Sequence, residues 1–494
     1  MAQKSLKVLF VISEAAPFVT AGGLGEVAQS LPKALSQLTA GQNQPKIDIK
    51  IVLPFYPFIK FDPYTPELVA EFQIPHRDGN LPGKAYHIQT EERMHYYFIQ
   101  GDPIEKSTKS IYAFDAAQDG LKFTFFSLAA LELTKRLDWQ PDILHANDWH
   151  TAPAVYWLAL NRAQDNFFQN TVSILNLHNL PYLGDGAGPE MNAFGLPPAS
   201  DSRLPIWAQN IPLPLGLLTA DEIVAVSPGY AQEILTREYG AGLHVFLNTR
   251  TESITGILNG IDYDTWNPSQ DNAIHQKFTE NQLDIRSKNK TYLQKTYGFP
   301  ILQKIPLLVV VSRFDQQKGV DLILDSLLQI TDRDWQAILL GTGHPDLENA
   351  ARRLEKILPD RVKALIKFDK QISRQLYSGG DAILIPSRYE PCGLTQMIGM
   401  RYGCVPIARA TGGLRDTIQD YTRSAESTGF LFQSETPEGL AGAIRRALYV
   451  FSLDQPWREI QRRGMALNLS WDRSAEQYRT LYTTVLDRHR EKNK

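Results

Sequence analysis

A glutamate and a glycine occupy a turn that connects an apolar segment to a helix. The apolar run 382–386 predicts a buried parallel strand, and residues 394–402 predict a helix. The turn between them contains Glu390 and Gly393. Turns of this kind present backbone N–H groups at the positive end of a helix, where anions bind well. A carboxylate beside that anion site suits sugar hydroxyls better than a phosphate, although for Glu390 alone a helix cap is the simpler explanation.

Two cations follow another predicted strand, 307–312. Arg313 and Lys318 lie five residues apart in the segment SRFDQQKG. Such a pair suits a diphosphate, because arginine offers a planar fork and lysine a point charge; a solvated loop with surface charges is the alternative. No run of acidic residues supplies the carboxylates that a Mg²⁺ site needs. The pattern therefore predicts a metal-independent diphosphate site that a sugar nucleotide would fit, with positive groups that stabilise the leaving diphosphate.

Three histidines lie near the ends of two successive predicted strands. His145 and His150 belong to one strand end, and His178 belongs to the next. Open α/β sheets bind ligands at the carboxyl ends of parallel strands, although a single histidine there is more often structural. The spacing of the three does not resemble a zinc site. We expect His178 and Glu390 to hold the sugar from opposite domains.

Two glycine pairs stand at predicted turns that open helices. Gly22 and Gly23 follow the first predicted strand in AGGLGEV, and Gly412 and Gly413 lie in the similar segment TGGLRDT. The first turn is not the G-x-G-x-x-G fingerprint, so it is a weak phosphate-loop signal, and a tight strand-to-helix turn is the alternative. One such turn is expected in each domain.

The order of the predicted strands and helices favours two α/β domains. At 494 residues the chain is too long for one core. Strand–helix alternation restarts after a boundary near 249–256, and short alternating runs within 64–120 predict an antiparallel or mixed sheet region. Residues 184–215, rich in Gly and Pro, predict a loop with little regular structure, and only helices are predicted beyond 411–414. The expected architecture is two doubly wound Rossmann-like domains with an interdomain cleft.

The composition excludes several functional classes. With 51 basic and 54 acidic residues the net charge is −3, and no basic stripe predicts binding to nucleic acid or to a membrane surface. No apolar window reaches the length of a transmembrane helix. The two cysteines, Cys392 and Cys404, form neither a disulfide framework nor a metal motif. We therefore expect a cytoplasmic protein in which Cys392 is a small buried thiol.

The motifs together resemble one family along essentially the whole chain. They are similar to those of the bacterial glycogen synthases and plant starch synthases, glycosyltransferase family five. The combination of EPCGLTQM and TGGLRDT is the most specific part of the resemblance. The matching segments include HANDWHTA (145–152), LHNLPYLG (177–184), GILNGIDYDTWNP (256–268), SRFDQQKG (312–319) and PSRYEPCGLTQM (386–397).

The resemblance implies a GT-B fold and a glucosyl transfer. The domain on the acceptor side would comprise residues 1–253 with a crossover helix at about 472–494, and the domain that binds the nucleotide sugar would comprise 254–471. The reaction would move glucose from ADP-glucose or UDP-glucose to the non-reducing 4-hydroxyl of an α-1,4-glucan such as glycogen or starch, with retention of configuration. No metal or other cofactor is implied, and the choice of nucleotide stays open.

The resemblance also assigns roles to individual residues. Arg313 and Lys318 match the pair that holds the diphosphate, Glu390 matches the acid at the glucose, and His178 matches the histidine at the reacting sugar. The remaining matches concern donor binding: Asn259 at the sugar, Phe368 against the base, the turn formed by Cys392, Gly393, Leu394 and Thr395, and the glycines Gly22, Gly23, Gly412 and Gly413.

The sequence departs from the family pattern mainly near its N-terminus. Thr20 stands where the family has lysine, Glu26 stands where it has aspartate, and a K-G-G loop is absent near 213–216. The E-x7-E pattern of other retaining transferases is also absent, because Ile398 occupies its second position. Two alternatives remain: a GT-B glucosyltransferase with a small acceptor, and a catalytically weak glucan-binding or priming partner. The intact cations and Glu390 argue against the second.

Overall fold

The chain divides into two compact units in a computed structural model that describes residues 5–39, 45–107, 109–422 and 425–492. The first unit comprises Met1–Asn259 together with Trp471–Lys494, and the second comprises Gly260–Ser470. Residues 493 and 494 of the predicted terminal helix lie outside the described residues. Which substrate each predicted domain binds stays a prediction.

The first unit is built on one nine-stranded sheet. Its strands are β1 (Leu6–Val11), β2 (Ile47–Pro54), β3 (Glu67–Ile74), β4 (Leu81–Gln89), β5 (His95–Gln100), β6 (Ile143–Asn147), β7 (Val172–Leu177), β8 (Glu222–Ala225) and β9 (Ile254–Gly256). Its helices before the boundary are α1 (Gly23–Gln37), α2 (Asp102–Glu105), α3 (Ala116–Arg136), α4 (Ala152–Asn161), α5 (Gly188–Ala193), α6 (Pro212–Thr219), α7 (Pro228–Glu233) and α8 (His244–Asn248).

The strand order of this sheet reverses at β1. The order is β3-β4-β5-β2-β1-β6-β7-β8-β9, with β4 antiparallel to its neighbours β3 and β5 and the other pairs parallel. The prediction of a mixed sheet region within 64–120 is confirmed. Strands β6 and β7 are buried along their whole length, and five of the six β1 residues are buried, as their continuous apolar runs require. The reversal leaves a crevice at the carboxyl ends of β1 and β6, where open α/β sheets bind ligands.

The prediction of an irregular loop over 184–215 is wrong. The segment contains α5, a short 3₁₀ helix (Ile206–Ala208) and the start of α6. Pro189 and Pro212 stand in the first turns of α5 and α6, where proline needs no N–H partner and its fixed φ favours the helix. Proline is typical of loops and also of the first turn of a helix, and these two prolines begin helices.

The second unit is built on a six-stranded parallel sheet. Its strands are β10 (Leu307–Val311), β11 (Gln336–Gly341), β12 (Val362–Ile366), β13 (Ala382–Ile385), β14 (Val405–Arg409) and β15 (Phe430–Phe432). Its helices are α9 (Leu283–Thr296), α10 (Val320–Gln329), α11 (Pro345–Ile357), α12 (Lys370–Gly379), α13 (Thr395–Arg401), α14 (Gly412–Thr417), α15 (Pro437–Phe451) and α16 (Asp454–Ala466).

The second sheet reverses its order between β10 and β13. The order is β12-β11-β10-β13-β14-β15, so β10 pairs with β11 on one side and with β13 on the other. The expectation of helices alone after 411–414 is wrong at β15, which pairs with β14 and is too short for a strand pattern to be recognised. The fold prediction of two doubly wound α/β domains is confirmed.

The last helix, α17 (Trp471–Lys492), belongs to the first unit and packs on its sheet. Tyr482 lies 2.7 Å through its hydroxyl from Nδ1 of His145, and the amide of Asn176 donates to the Tyr478 hydroxyl at 2.8 Å. Within the described ranges, none of the helices combines the length and the apolar character needed to cross a membrane.

Candidate active site

The glycine turn of the first unit is held from inside by a buried glutamate. Glu14 follows β1, and its carboxylate accepts hydrogen bonds from the backbone N–H groups of Ala21 and Gly22, the second at 3.3 Å. Helix α1 begins at Gly23, so the predicted turn does open a helix. Burial raises the pKa of Glu14 to about 7, against the opposing effect of these backbone hydrogen bonds. Two N–H groups of the predicted phosphate turn are therefore already occupied by a carboxylate of the chain.

His178 is held in one neutral tautomer by its neighbours and by burial. The Asn147 amide donates through Nδ2 to the carbonyl oxygen of Val11 at 3.0 Å, which turns its Oδ1 toward His178 Nε2 at 2.9 Å. Because Oδ1 can only accept, Nε2 carries the proton and Nδ1 is the acceptor of the ring. Burial lowers the pKa of His178 to about 3, so the ring is neutral at physiological pH.

Asp148 fixes the backbone on which His178 stands. Its Oδ1 accepts from the N–H of His178 at 2.7 Å and from that of Asn179 at 3.3 Å, and its own φ is +54°. Burial raises the pKa of Asp148 to about 7. The left-handed backbone at a non-glycine residue costs free energy, so the carboxylate contacts must offset it. Asp148 is a positioning residue that sequence reasoning missed, although its place directly after β6 was a usable signal.

The other two histidines are structural. His145 is fully buried beneath α17 and bonded to Tyr482. The ring of His150 packs between Trp149 and Phe123, with ring centroids 4.4 and 4.7 Å away. Burial lowers the pKa of each to about 3. Of the three histidines, only His178 keeps an intermediate exposure.

Asn259, the last residue of the first unit before the boundary, has an unsatisfied polar atom. Its side-chain Oδ1 is buried and has no hydrogen-bond partner among the described residues. A buried acceptor left without a donor costs about 1–3 kcal/mol. This atom is therefore available to a ligand hydroxyl.

An ion pair and a hydroxyl converge at the switch point of the second unit. Lys318 follows β10 and Glu390 follows β13, and Nζ lies 2.6 Å from Glu390 Oε2. The Ser387 hydroxyl donates to the same oxygen at 2.8 Å. The Glu390 side chain is only 9% exposed. Two residues predicted separately, as a phosphate ligand and a sugar ligand, thus form one cluster.

Arg313 stands at the surface of the same unit. Its guanidinium is 62% exposed and lies 3.2 Å from Asp315 and 3.3 Å from the Gln317 side chain. Its planar fork therefore remains accessible to an anion. The structure places Arg313 and Lys318 on one loop, and their side chains have different partners.

The turn after β13 packs tightly on the glycines after β14. The Gly413 N–H donates to the Glu390 carbonyl at 3.0 Å, and a Cβ on Gly413 would collide with the Cys392 carbonyl oxygen. Gly393 has a φ of +75°, which favours glycine. The turn then passes through Leu394 into α13, which begins at Thr395, while Gly412 opens α14. Cys392 and Cys404 are both buried and form no disulfide.

Phe368 leaves its ring in the solvent. It follows β12, at the edge of the sheet, and is 79% exposed. In the part of the chain that the structure describes, no group of three or more His, Cys, Asp or Glu side chains could hold a metal ion.

Known protein families match both units. Residues 7–249 match the family described as starch synthase catalytic domain, and residues 299–462 match glycosyl transferases group 1. The glycogen synthase of Thermotoga maritima is 37% identical over 97% of this chain and 99% of its own. The glycogen synthase of Clostridium perfringens is 35% identical over 98% of this chain and 99% of its own.

Solved structures agree with these sequence matches. The catalytic domain of starch synthase IV from Arabidopsis thaliana, bound to ADP and acarbose, superposes with a TM-score of 0.87 at 31% identity, over 98% of this chain and all of that one. The sucrose-phosphate synthase of Thermosynechococcus elongatus has a TM-score of 0.59 at 19% identity, over 98% and 99% of the two chains, and shares the fold alone. The chain therefore belongs to the glycogen and starch synthase family of GT-B glucosyltransferases.

Proposed function

We propose that this protein transfers glucose from ADP-glucose to the non-reducing end of an α-1,4-glucan, with retention of configuration. The observation that carries the proposal is the Lys318–Glu390–Ser387 cluster at the switch point of the second sheet. It combines a cation for the diphosphate with a carboxylate for the sugar. The relatives named glycogen synthase and the solved structure with bound ADP support the acceptor and the nucleotide.

In the transfer, the bond between the glucose C1 and the diphosphate oxygen breaks, and the acceptor 4-hydroxyl forms the new bond to C1 on the same face. Lys318 keeps two N–H donors beyond its bond to Glu390, and Arg313 is exposed, so both can meet the negative charge that develops on the leaving ADP. The acceptor proton leaves with the departing phosphate or to solvent.

Glu390 and His178 would bind the glucose. Glu390 Oε2 is engaged by Lys318 and Ser387, which leaves Oε1 to accept a sugar hydroxyl. A neutral His178 with Nδ1 as acceptor suits a hydroxyl better than a phosphate. The neutral His178 ring would not have to change its protonation state during donor binding.

The remaining donor contacts are proposed from position and accessibility. The unpartnered Oδ1 of Asn259 would accept from the sugar, and the exposed Phe368 ring would stack on the base. The turn Cys392–Gly393–Leu394–Thr395 and the pair Gly412–Gly413 would present backbone to the donor, as Gly22 and Gly23 would from the first unit.

The proposed reaction uses no metal and takes place in the cytoplasm. The cationic pair would do the work that Mg²⁺ does at other diphosphates. Two buried cysteines without a disulfide fit a reducing compartment, and burial raises the pKa of Cys404 to about 12, which keeps its thiol protonated.

The test compares donors and acceptors on the purified chain. ADP-glucose and UDP-glucose are each incubated with glycogen, with maltose and with free glucose, with and without a chelator, and initial rates and the anomeric configuration of the product are measured. The proposal expects the highest rate with ADP-glucose and glycogen, an α-1,4 product, and no effect of the chelator. Faster transfer to glucose or maltose would favour the small-acceptor alternative, and no transfer from either donor would favour the weak binding partner.

A further inference from the structure

We propose that Asp315 is a positioning residue that sets the affinity of the second unit for the donor diphosphate, an inference that rests on the proposed function. Asp315 lies inside the segment that carries both cations, yet it is an acid. It therefore places a negative charge where an anionic ligand must bind.

The two carboxylate oxygens of Asp315 have different partners. Oδ1 accepts from the backbone N–H of Lys318 at 2.9 Å, and Oδ2 lies 3.2 Å from the Arg313 guanidinium. The Asp315 side chain is 29% exposed, so its charge is less screened than that of a fully exposed acid. Asp315 thus fixes the backbone at Lys318 and neutralises part of the charge of Arg313.

The rest of the loop is anchored independently of Asp315. The Phe314 N–H donates to the Thr342 carbonyl at 2.9 Å, and the Arg388 N–H donates to the Gln317 carbonyl at 2.8 Å. The Gln317 amide also reaches the Tyr389 carbonyl at 3.3 Å. Because these bonds hold the loop on both sides, a change confined to the charge of Asp315 should leave the backbone in place.

Two opposite effects follow for ligand binding. A diphosphate must share Arg313 with the Asp315 carboxylate, so the acid weakens the binding of ADP and favours its release. The Oδ1 contact preorganises the segment that leads to Lys318, which favours turnover. The two effects can be separated, because asparagine keeps an acceptor for the Lys318 N–H without the charge, whereas alanine removes both.

The experiment measures the Kd of ADP and of inorganic pyrophosphate by calorimetry, with steady-state kinetics for ADP-glucose, on Asp315→Asn and Asp315→Ala. The control is Asp325→Asn, which removes the same charge from an exposed position on α10. We expect Asp315→Asn to bind both probes about three- to fivefold more tightly, the scale of one partly exposed ion pair. The gain should shrink as salt rises, and Asp315→Ala should lower kcat more than Asp315→Asn does.

The outcomes separate this inference from the proposed function. If Asp315→Asn binds ADP like the wild type and like Asp325→Asn at low salt, the inference is wrong even when the wild type synthesises glucan. If the wild type binds neither ADP nor pyrophosphate, the proposed donor site fails and Asp315 with it. A thermal melt of each variant is recorded, and an alanine variant that does not fold leaves the asparagine comparison to decide.

Discussion

The switch points of the two sheets have the same topology and opposite chemistry. In the second unit the loops after β10 and β13 carry the exposed Arg313 and an ion pair in which the half-buried Lys318 lies 2.6 Å from the buried Glu390. In the first unit the loops after β1 and β6 carry buried carboxyls, Glu14 and Asp148, whose hydrogen bonds come from backbone N–H groups. The difference indicates that the topology of the sheet determines where a ligand binds. The side chains that follow each strand determine the charge of the binding site.

The comparison predicts different ligands for the two crevices. Cations that remain accessible suit an anionic donor, and Arg313 is largely exposed. A neutral His178 and carboxyls with raised pKa values suit uncharged hydroxyl groups. Removing or adding a single charge in each unit tests whether the accessible cations of the second unit and the neutral groups of the first have these roles.

The largest effect is expected from Lys318→Ala. The rate of glucosyl transfer should fall by roughly 10²–10³, the scale of one lost preorganised donor at a developing charge. Lys318→Gln should lose most of the rate as well, because its amide can donate to Glu390 but carries no charge. Initial rates with ADP-glucose and glycogen check this, with Lys356→Ala on the exposed last turn of α11 as the control.

Thermal melts of all three variants accompany these rates, since Lys318→Ala leaves the buried Glu390 without its cation. If a folded Lys318→Ala variant transfers glucose at nearly the wild-type rate, the proposal that the second switch point binds the diphosphate is wrong.

An intermediate effect is expected on stability from Glu14→Gln. The folded-state pKa of Glu14, about 7, lies above the ordinary value of 4.5, so the folded state binds the proton more tightly. Its contribution to stability is therefore largest at low pH and is lost as the pH rises from about 4.5 to 7. The uncharged variant should escape this loss, so its free energy of unfolding relative to that of the wild type should rise by roughly 2 kcal/mol between pH 5.5 and pH 8.

Chemical denaturation at pH 5.5 and pH 8 measures the difference, and Glu91→Gln, at an exposed turn of the same unit, is the matched control. Asp148, Tyr56 and Tyr112 also face Glu14 electrostatically and remain in the variant, so the comparison measures the Glu14 carboxyl together with its coupling to Asp148. A variant with the same pH dependence as the wild type would mean that Glu14 is not the group that titrates.

The local parts of the site could be predicted from the sequence, and the contacts between them could not. A short stretch of sequence is enough to predict a strand from each of the apolar runs that precede Arg313, Lys318 and Glu390. The position of these three residues in loops could therefore be predicted. The Lys318–Glu390 pair joins residues 72 apart, and it depends on β10 lying beside β13, which no local pattern encodes. Glu14 was missed for a related reason, because its partners lie in a turn that folds back on the strand end.

The smallest effect is expected from Thr20→Lys, which restores the charge that the family pattern has at this position. Thr20 is exposed and its side chain lies over Gly25, where a Cβ would clash with it, so a longer side chain must extend into solvent. The KM for ADP-glucose should fall severalfold, because one partly exposed charge contact contributes about 1 kcal/mol. Steady-state kinetics at low and high ionic strength check this, since screening should reduce the gain.

Glu14 offers the new ammonium a competing partner, because it already binds the neighbouring Ala21 and Gly22 N–H groups. Pairing with Glu14 would stabilise its charged form, lower its pKa and flatten the pH dependence of unfolding without changing KM. The KM and the pH dependence of unfolding therefore distinguish an ammonium group at the donor from one paired with Glu14. A lower KM with unchanged pH dependence places the ammonium at the donor, and an unchanged KM with a flattened profile places it on Glu14. A higher KM or a collapse of turnover would show that the glycine turn of this chain binds the donor in a way that a lysine obstructs.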